Sequence, residues 1–190
     1  MEPISVQEIL TATNGTLISG RPDEIIYGVS TDSRKIKPGE LFIALIGERF
    51  DGHDFILQAV ENGAKAVLTQ KMMLKLPDDI QVIQVDDTLM ALQDLAACYR
   101  IKYHIPVIGV TGSTGKTTTK DMIHHVLMAR LNALKTEGNL NNEIGLPLTL
   151  LGIERQHEIA VVEMGMSGLG EIRRLAEISR PNVAVITNIG

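Results

Sequence analysis

The segment Val110-Thr111-Gly112-Ser113-Thr114-Gly115-Lys116-Thr117-Thr118 constrains this chain more than any other stretch. An apolar run, Ile105–Val110, precedes it, and a helical pattern, Lys116–Met128, follows it. A glycine-rich turn between a strand and a helix lets successive N–H groups face one concavity, where the helix N-terminus adds its positive end. That is the build of a phosphate loop. The common form places its first glycine five residues before the second, at position 110, which here is valine. The glycines are Gly109, Gly112 and Gly115, so the loop is a variant of the T-G-x-x-G-K-T form.

Around this loop the pattern is regular. Ala133–Lys135, Ile159–Glu163 and Val183–Asn188 read as strands, and Ile144–Leu151 and Gly168–Ile178 as helices. Leu169, Ile172, Leu175 and Ala176 are expected to face inward, and Met122/Val126 and Ile123/Leu127 to form apolar pairs four apart. Pro147 is tolerable only in the first turn of its helix. Near-continuous apolar strands alternating with helices predict a parallel sheet covered on both faces.

The first part is less regular. It shows a capped helix at Ser5–Leu10, strands at Ile25–Ser30, Leu41–Leu45, Ala66–Thr69 and Gln81–Val85, and a helix over His53–Asn62 stopped by Gly63. Asp87 caps a further helix carrying Leu89, Leu92, Ala96 and Tyr99 on one face. The expected fold is α/β: a small mixed α/β N-terminal domain over residues 1–84, then a P-loop parallel-sheet domain over residues 85–190. The chain stops at Gly190 directly after a strand, which suggests a truncated second domain.

Composition narrows the function. Net charge is −5, aromatic residues are 3% and tryptophan is absent, so a basic, ring-studded nucleic-acid surface is not expected. No apolar run reaches the roughly 18 residues of a membrane span, and the N-terminus lacks a secretory pattern. A single cysteine, Cys98, permits no intrachain disulfide. A cytoplasmic protein without membrane insertion is the expectation.

The loop's chemistry follows from its residue types. Gly112, Ser113, Thr114, Gly115, Lys116, Thr117 and Thr118 are candidates to hold ATP, with Lys116 on the phosphates and the Thr117 hydroxyl on Mg²⁺. Glu163 ends an apolar strand, and ligands of a parallel sheet sit beyond the carboxyl ends of its strands. It is the candidate carboxylate for Mg²⁺, a cation that takes few carboxylates and keeps several waters. Lys116 and Glu163 are thus the candidate catalytic pair, and Thr117 and Glu163 the candidate metal ligands. The stretch Thr136–Pro147 follows the second strand of this domain and carries Asn139, Asn141 and Asn142. Asn142 by itself reads as a helix cap, although a row of amides can equally grip a polar substrate.

The stretches TGSTGKTT, EGNLNNEIGLPLTLL and VVEMGMSGLGEIRRLAEISRPNVAVITNIG together resemble the Mur ligases of bacterial cell-wall synthesis. So does Ser30-Thr31-Asp32-Ser33-Arg34 with the block Lys35–Leu45, followed by Gly47 and Asp51-Gly52-His53, which is similar to the family's UDP-binding domain. The resemblance covers nearly the whole chain. NLNNEIGLPLTLL and Glu163-Met164-Gly165 are most similar to the member that joins D-Ala-D-Ala to UDP-MurNAc-tripeptide. The member that adds the third residue ranks second.

The resemblance implies a monomeric ligase in which ATP phosphorylates a carboxylate and an amine attacks the acyl phosphate. It implies that Ser30, Thr31, Asp32, Ser33 and Arg34 line a UDP-sugar pocket, and that Asn139 and Asn142 lie between nucleotide and peptide substrate. It also implies that a metal-binding histidine, a carbamylated lysine, the adenine-binding region and an acceptor domain follow further on in the family. The chain is therefore expected to be an inactive N-terminal fragment, and the open parallel edge after Val183–Asn188 is expected to make it aggregation-prone.

Two other function classes compete: a generic P-loop kinase or NTPase, and a non-catalytic nucleotide-binding module. Cys98 is expected to be buried or half-buried filler, and Met72-Met73 gap-filling core. His124 and His125, about 100° apart on a helix, are not expected to share a metal. His53 either caps its helix or touches substrate. Asp86-Asp87 is a helix start.

Overall fold

The computed structural model describes residues 1–72 and 76–189. The chain divides into two compact units, Met1–Leu95 and Ala96–Gly190, and the division falls inside a long helix.

In the first unit, β1 (Ile4–Ser5) pairs antiparallel with β3 (Ile25–Ile26). Helix α1 (Val6–Thr13) starts on a capping box. Ser5 Oγ accepts from the Glu8 N–H at 3.2 Å, and Glu8 Oε2 accepts from the Ser5 N–H at 2.7 Å. The main sheet has the order β2-β7-β6-β5-β4. Here β2 is Thr16–Ser19, β4 Val29–Ser30, β5 Leu41–Ile43, β6 Ala66–Thr69 and β7 Gln81–Gln84. Strands β4 to β7 run parallel, and β2 pairs antiparallel at the β7 edge with a slip between Leu17 and Ser19.

A 3₁₀ turn (Gly52–Phe55) leads into α2 (Ile56–Glu61), with Asp51 Oδ1 accepting from the His53 N–H at 2.9 Å. Ile56 and Ala59 of α2 pack onto Phe42, Val67 and Val82 of the sheet, forming the unit's core. Gly63 holds φ +106, where a side chain would be strained, and its N–H closes the helix on the Val60 carbonyl.

Three expectations change in this unit. The run Ile25–Ser30 breaks into β3 and β4, which belong to different sheets. Strand β2 was not legible, because its pattern alternates only between exposed and half-buried positions. Met72 is exposed rather than core, and Met73 lies outside the described residues.

Helix α3 (Thr88–Lys102) carries the division. Asp87 Oδ1 accepts from the N–H groups of Leu89 and Met90, which is the expected cap. Cys98 is exposed, contrary to expectation, because it lies outside the stripe formed by Leu92, Ala96 and Tyr99.

The second unit is a four-stranded parallel sheet of order β11-β8-β10-β9. Its strands are β8 (Val107–Thr111), β9 (Ala133–Lys135), β10 (Ile159–Glu163) and β11 (Val183–Ile186). Helix α4 (Lys116–Leu127) carries the chain from β8 to β9, α5 (Gly145–Leu151) from β9 to β10, and α6 (Glu171–Ser179) from β10 to β11. The first crossing moves one way along the sheet and the next two move back. With right-handed connections, this puts α4 on one face and α5 with α6 on the other. Helices α5 and α6 accordingly pack on each other. The adjacent strands β8 and β10 thus send their connections to opposite faces, which opens a crevice at their carboxyl ends.

Pro147 is the third residue of α5, within the first turn as required. Helix α6 begins at Glu171 rather than Gly168, and Leu169 is fully exposed in the turn before it. The expected Met122/Val126 pair is exposed on the outer side of α4. Among the described residues no helix is long and apolar enough to cross a membrane.

Candidate functional site

The crevice of the second unit is built from three segments. The first is the loop after β8. Gly112 has φ +135 and Gly115 φ +79, and α4 starts at Lys116. Ser113, Thr114, Thr117 and Thr118 are exposed around the turn, and Lys116 is half-buried. Lys116 Nζ donates to the Gly112 carbonyl at 2.7 Å, so its stem folds across the loop it would serve. The segment after β11 braces this turn. Thr187 Oγ1 lies 2.5 Å from the Thr114 carbonyl, and the Ser113 N–H donates to the Asn188 carbonyl at 3.0 Å.

The second segment is the end of β10. The register sets Glu163 beside Val110, the residue before the loop. Glu163 is 2% exposed. Its Oε1 accepts from Asn141 Nδ2 at 2.8 Å, while Oε2 is a buried oxygen without a hydrogen bond. A buried carboxylate is costly unless paired. The nearest cation is Lys120 Nζ, 4.0 Å from Oε2 and also 2% exposed.

The third segment is the asparagine loop. Asn142 Oδ1 accepts from the N–H groups of Ile144 and Gly145, so Asn142 caps α5. Asn139 is exposed, and its carbonyl accepts from the Asn141 N–H. Neither Asn139 nor Asn142 makes the contact to Glu163; Asn141 does. Sequence reasoning also passed over Lys120 and Thr136. The signal for Lys120 was its position four residues, one helical turn, beyond Lys116. Thr136 is fully buried; Lys120 donates to its carbonyl at 2.8 Å, and its hydroxyl accepts from the Glu163 N–H.

The residues fit a divalent cation. The hydroxyl of the exposed residue Thr117 and a buried carboxylate with one uncommitted oxygen are oxygen donors of the kind Mg²⁺ takes together with phosphates and water. Among the described residues no cluster of three or more acidic, histidine or cysteine side chains offers a fuller cage.

The first unit has its own cavity of about 410 Å³. Thr31, Asp32, Ser33 and Arg34 line it, opposite Phe42, Phe50, Phe55 and Gln58. Asp32 and Arg34 form a two-point fork, with Arg34 Nε and Nη2 donating to the two carboxylate oxygens at 2.9 Å each. That hydrogen bonding holds the Asp32 carboxyl down at about 2. Ser33 is buried and its hydroxyl donates to Gln58 Oε1 at 2.7 Å. Ser30 does not line the cavity; its hydroxyl holds the turn by contacts with both backbone groups of Asp32.

His53 has a structural place. Its Nδ1 lies 2.6 Å from Asp51 Oδ1 and its Nε2 accepts from the Gln70 N–H. Asp51 also pairs with Lys71, and together these contacts hold its carboxyl below the ordinary range. On α4, His124 Nε2 contacts the Ala133 carbonyl and His125 is exposed, so the two do not converge.

A doubly wound parallel sheet with a glycine-rich loop after one strand and a buried carboxylate at the end of its neighbour has the build of a P-loop unit, here preceded by a small mixed α/β unit. The comparisons with known proteins are consistent with both halves. Residues 25–100 match the family described as "Mur ligase family, catalytic domain", and residues 110–190 match the "Mur ligase middle domain". The chain belongs to the Mur ligase family.

A relative from Bacillus subtilis (strain 168), a UDP-N-acetylmuramoyl-tripeptide–D-alanyl-D-alanine ligase, is 52% identical over 187 residues. That alignment takes in 98% of this chain and 41% of the relative. The Escherichia coli (strain K12) protein of the same name is 40% identical over 189 residues, 100% of this chain and 41% of its own. Among solved structures, MurF from Acinetobacter baumannii superposes with a TM-score of 0.93 at 40% identity, covering 100% of this chain and 42% of that one. MurF ligase from Thermotoga maritima in complex with ADP gives 0.78 at 38% identity, covering 86% and 38%. The chain thus spans about two fifths of the length of these relatives.

Proposed function

We propose that this chain is the UDP-sugar-binding and nucleotide-binding part of an ATP-dependent ligase that joins D-Ala-D-Ala to UDP-MurNAc-tripeptide. In this reading residues 1–84 form the UDP-sugar domain and residues 85–190 the first part of the ATP-binding domain. The carrying observation is the buried, half-satisfied carboxylate of Glu163 set by register beside the phosphate loop. Relatives bearing that ligase name at 52% and 40% identity, and the ADP complex of a neighbour, support the choice of reaction and nucleotide.

The chain's residues have distinct roles. The backbone of Gly112 to Gly115 and the first turn of α4, with Thr117 and Thr118, would cradle the ATP phosphates. Lys116 would leave the Gly112 carbonyl and place its charge on the β and γ oxygens. Thr117 and Glu163 would hold Mg²⁺, which supplies neutralisation of the phosphate charge. Thr31 to Arg34 would orient the UDP-sugar, with Ser30 fixing their turn, and Asn139 and Asn142 would stand between nucleotide and peptide.

The peptide carboxylate attacks the γ-phosphorus, ADP leaves, the D-Ala-D-Ala amine attacks the acyl phosphate, and phosphate is released. Holding the carboxylate and phosphate in line is the main contribution of such a site.

Titration calorimetry of the chain with ADP and with UDP-MurNAc-tripeptide tests the reading. Both should bind, with ADP affinity falling in Lys116→Ala and UDP-sugar affinity falling in Arg34→Ala. A folded chain with no affinity for the UDP-sugar overturns the ligase reading. ADP affinity unchanged in Lys116→Ala overturns the role of the loop.

A further inference from the structure

Lys120 is buried to 2% exposure, which is rare for lysine unless its charge has a task. Its ammonium donates to the Thr136 carbonyl at 2.8 Å, lies 3.4 Å from Asp121 Oδ1 and 4.0 Å from Glu163 Oε2. Fastening α4 to the end of β9 requires only the first of these contacts, and a neutral donor would serve. Asp121 is half exposed and bonds Lys135 at 2.9 Å, so it is a shared and solvated partner. The buried charge that Lys120 faces is Glu163.

The two oxygens of Glu163 are treated differently. Oε1 is fixed by the Asn141 amide, and Oε2 faces the ammonium across a gap too long for a hydrogen bond. At 4.0 Å in a buried setting the attraction still orients the carboxylate. The lone pairs of Oε2 stay uncommitted.

We propose that Lys120 is a positioning residue: its fixed charge, with the Asn141 amide, holds Glu163 in one orientation with Oε2 left uncommitted for a divalent cation. The inference rests on the reading of Glu163 as a metal ligand. Partners behind a metal ligand commonly account for 10–100-fold in metal affinity.

The experiment measures ADP affinity of the full chain with and without Mg²⁺, and Mn²⁺ binding by electron paramagnetic resonance. Three proteins are compared: wild type, Lys120→Gln, which keeps an N–H donor for Thr136, and Lys120→Met, which does not. Wild type should bind ADP more tightly with Mg²⁺. Both variants should need about 10- to 100-fold more cation for the same effect, with metal-free ADP affinity unchanged. Wild-type behaviour of Lys120→Gln makes Lys120 a fastener only and overturns the proposal, and so does failure of both variants to fold. Absence of any Mg²⁺ or Mn²⁺ effect in wild type instead overturns the metal reading of Glu163 itself.

Discussion

The two positive-φ glycines of the phosphate loop separate conformational strain from steric conflict. At Gly115, φ is +79 and a Cβ would meet only Thr187 Cβ at 3.9 Å, ordinary contact. Gly115→Ala should therefore cost about 1–2 kcal/mol, the left-handed penalty alone. At Gly112, φ is +135, and a Cβ would lie 2.2 Å from Thr187 Oγ1, 2.9 Å from the Asn188 nitrogen and 3.0 Å from its oxygen. Two of those atoms are backbone, and the Thr187 hydroxyl is bound to the loop's own carbonyls at Thr111 and Thr114. Backbone strain in such a region costs about 1–3 kcal/mol, and displacing the hydroxyl adds roughly 0.5–1.5 kcal/mol. Gly112→Ala should cost about 1.5–4.5 kcal/mol in total. Native-state hydrogen exchange of the β8 and β10 amides reads this out within the second unit. Exchange should accelerate roughly 10- to 1,600-fold in Gly112→Ala, against about 5- to 30-fold in Gly115→Ala. A Gly112→Ala protein no more destabilised than Gly115→Ala would refute the steric argument and the bracing of the loop by Thr187 and Asn188.

Lys116→Ala should weaken ADP binding about 10- to 100-fold, the worth of a charge-assisted hydrogen bond. Its urea midpoint should not move, because Nζ bonds only carbonyls of its own loop. The Asp32 carboxyl, held at about 2 by its fork with Arg34, should keep that contact down through the ordinary carboxylate range and lose it as pH falls through about 2. Carbon-13 NMR titration checks this; a midpoint near the usual value of 3.8 would mean the fork is not formed. Arg100→Lys should destabilise the second unit despite keeping the charge. The guanidinium donates to three carbonyls, those of Ser179, Tyr103 and Ile105, and an ammonium cannot span that fork. A urea midpoint equal to wild type would contradict it.

The parts of the fold that were legible are those where one local rule decides. The Ser5 and Asp87 caps, the Gly63 stop and the apolar strands of the parallel sheet each follow from a few adjacent residues. The parts that were not legible depend on partners far along the chain. Strand β2 exists because β7 lies beside it, and the Ile25–Ser30 run breaks because its two ends pair with different strands. Helical spacing grouped Met122 with Val126 correctly on one face, but spacing does not say which face the sheet will cover. Sequence singled out Asn139 and Asn142 in the asparagine loop, and the amide that reaches Glu163 is Asn141. The choice among three neighbouring amides was set by the turn geometry. Asn142 is drawn back to cap α5, which leaves Asn141 to extend toward β10.

That division of labour explains how a short loop and two periodicities suffice to assemble the site. Strand register is the first: pairing Glu163 with Val110 places a carboxylate at the mouth of the loop whatever the loop's own sequence. The helical repeat is the second. Lys116 and Lys120 are one turn apart on α4, about 6 Å along its axis, so one cation bonds the loop and the other bonds Thr136, just past the end of β9. The two lysines are the same residue type in different solvents, and the difference assigns their tasks. Half-buried Lys116 bonds carbonyls of its own loop, which under the proposed function it would exchange for a phosphate. Lys120 is committed to Thr136 and faces a buried carboxylate, so moving it would strand Glu163 without its counter-charge. Under the proposed function, a loop-held cation over a fixed one is the arrangement expected of a site that must admit and release a nucleotide while keeping Glu163 in place.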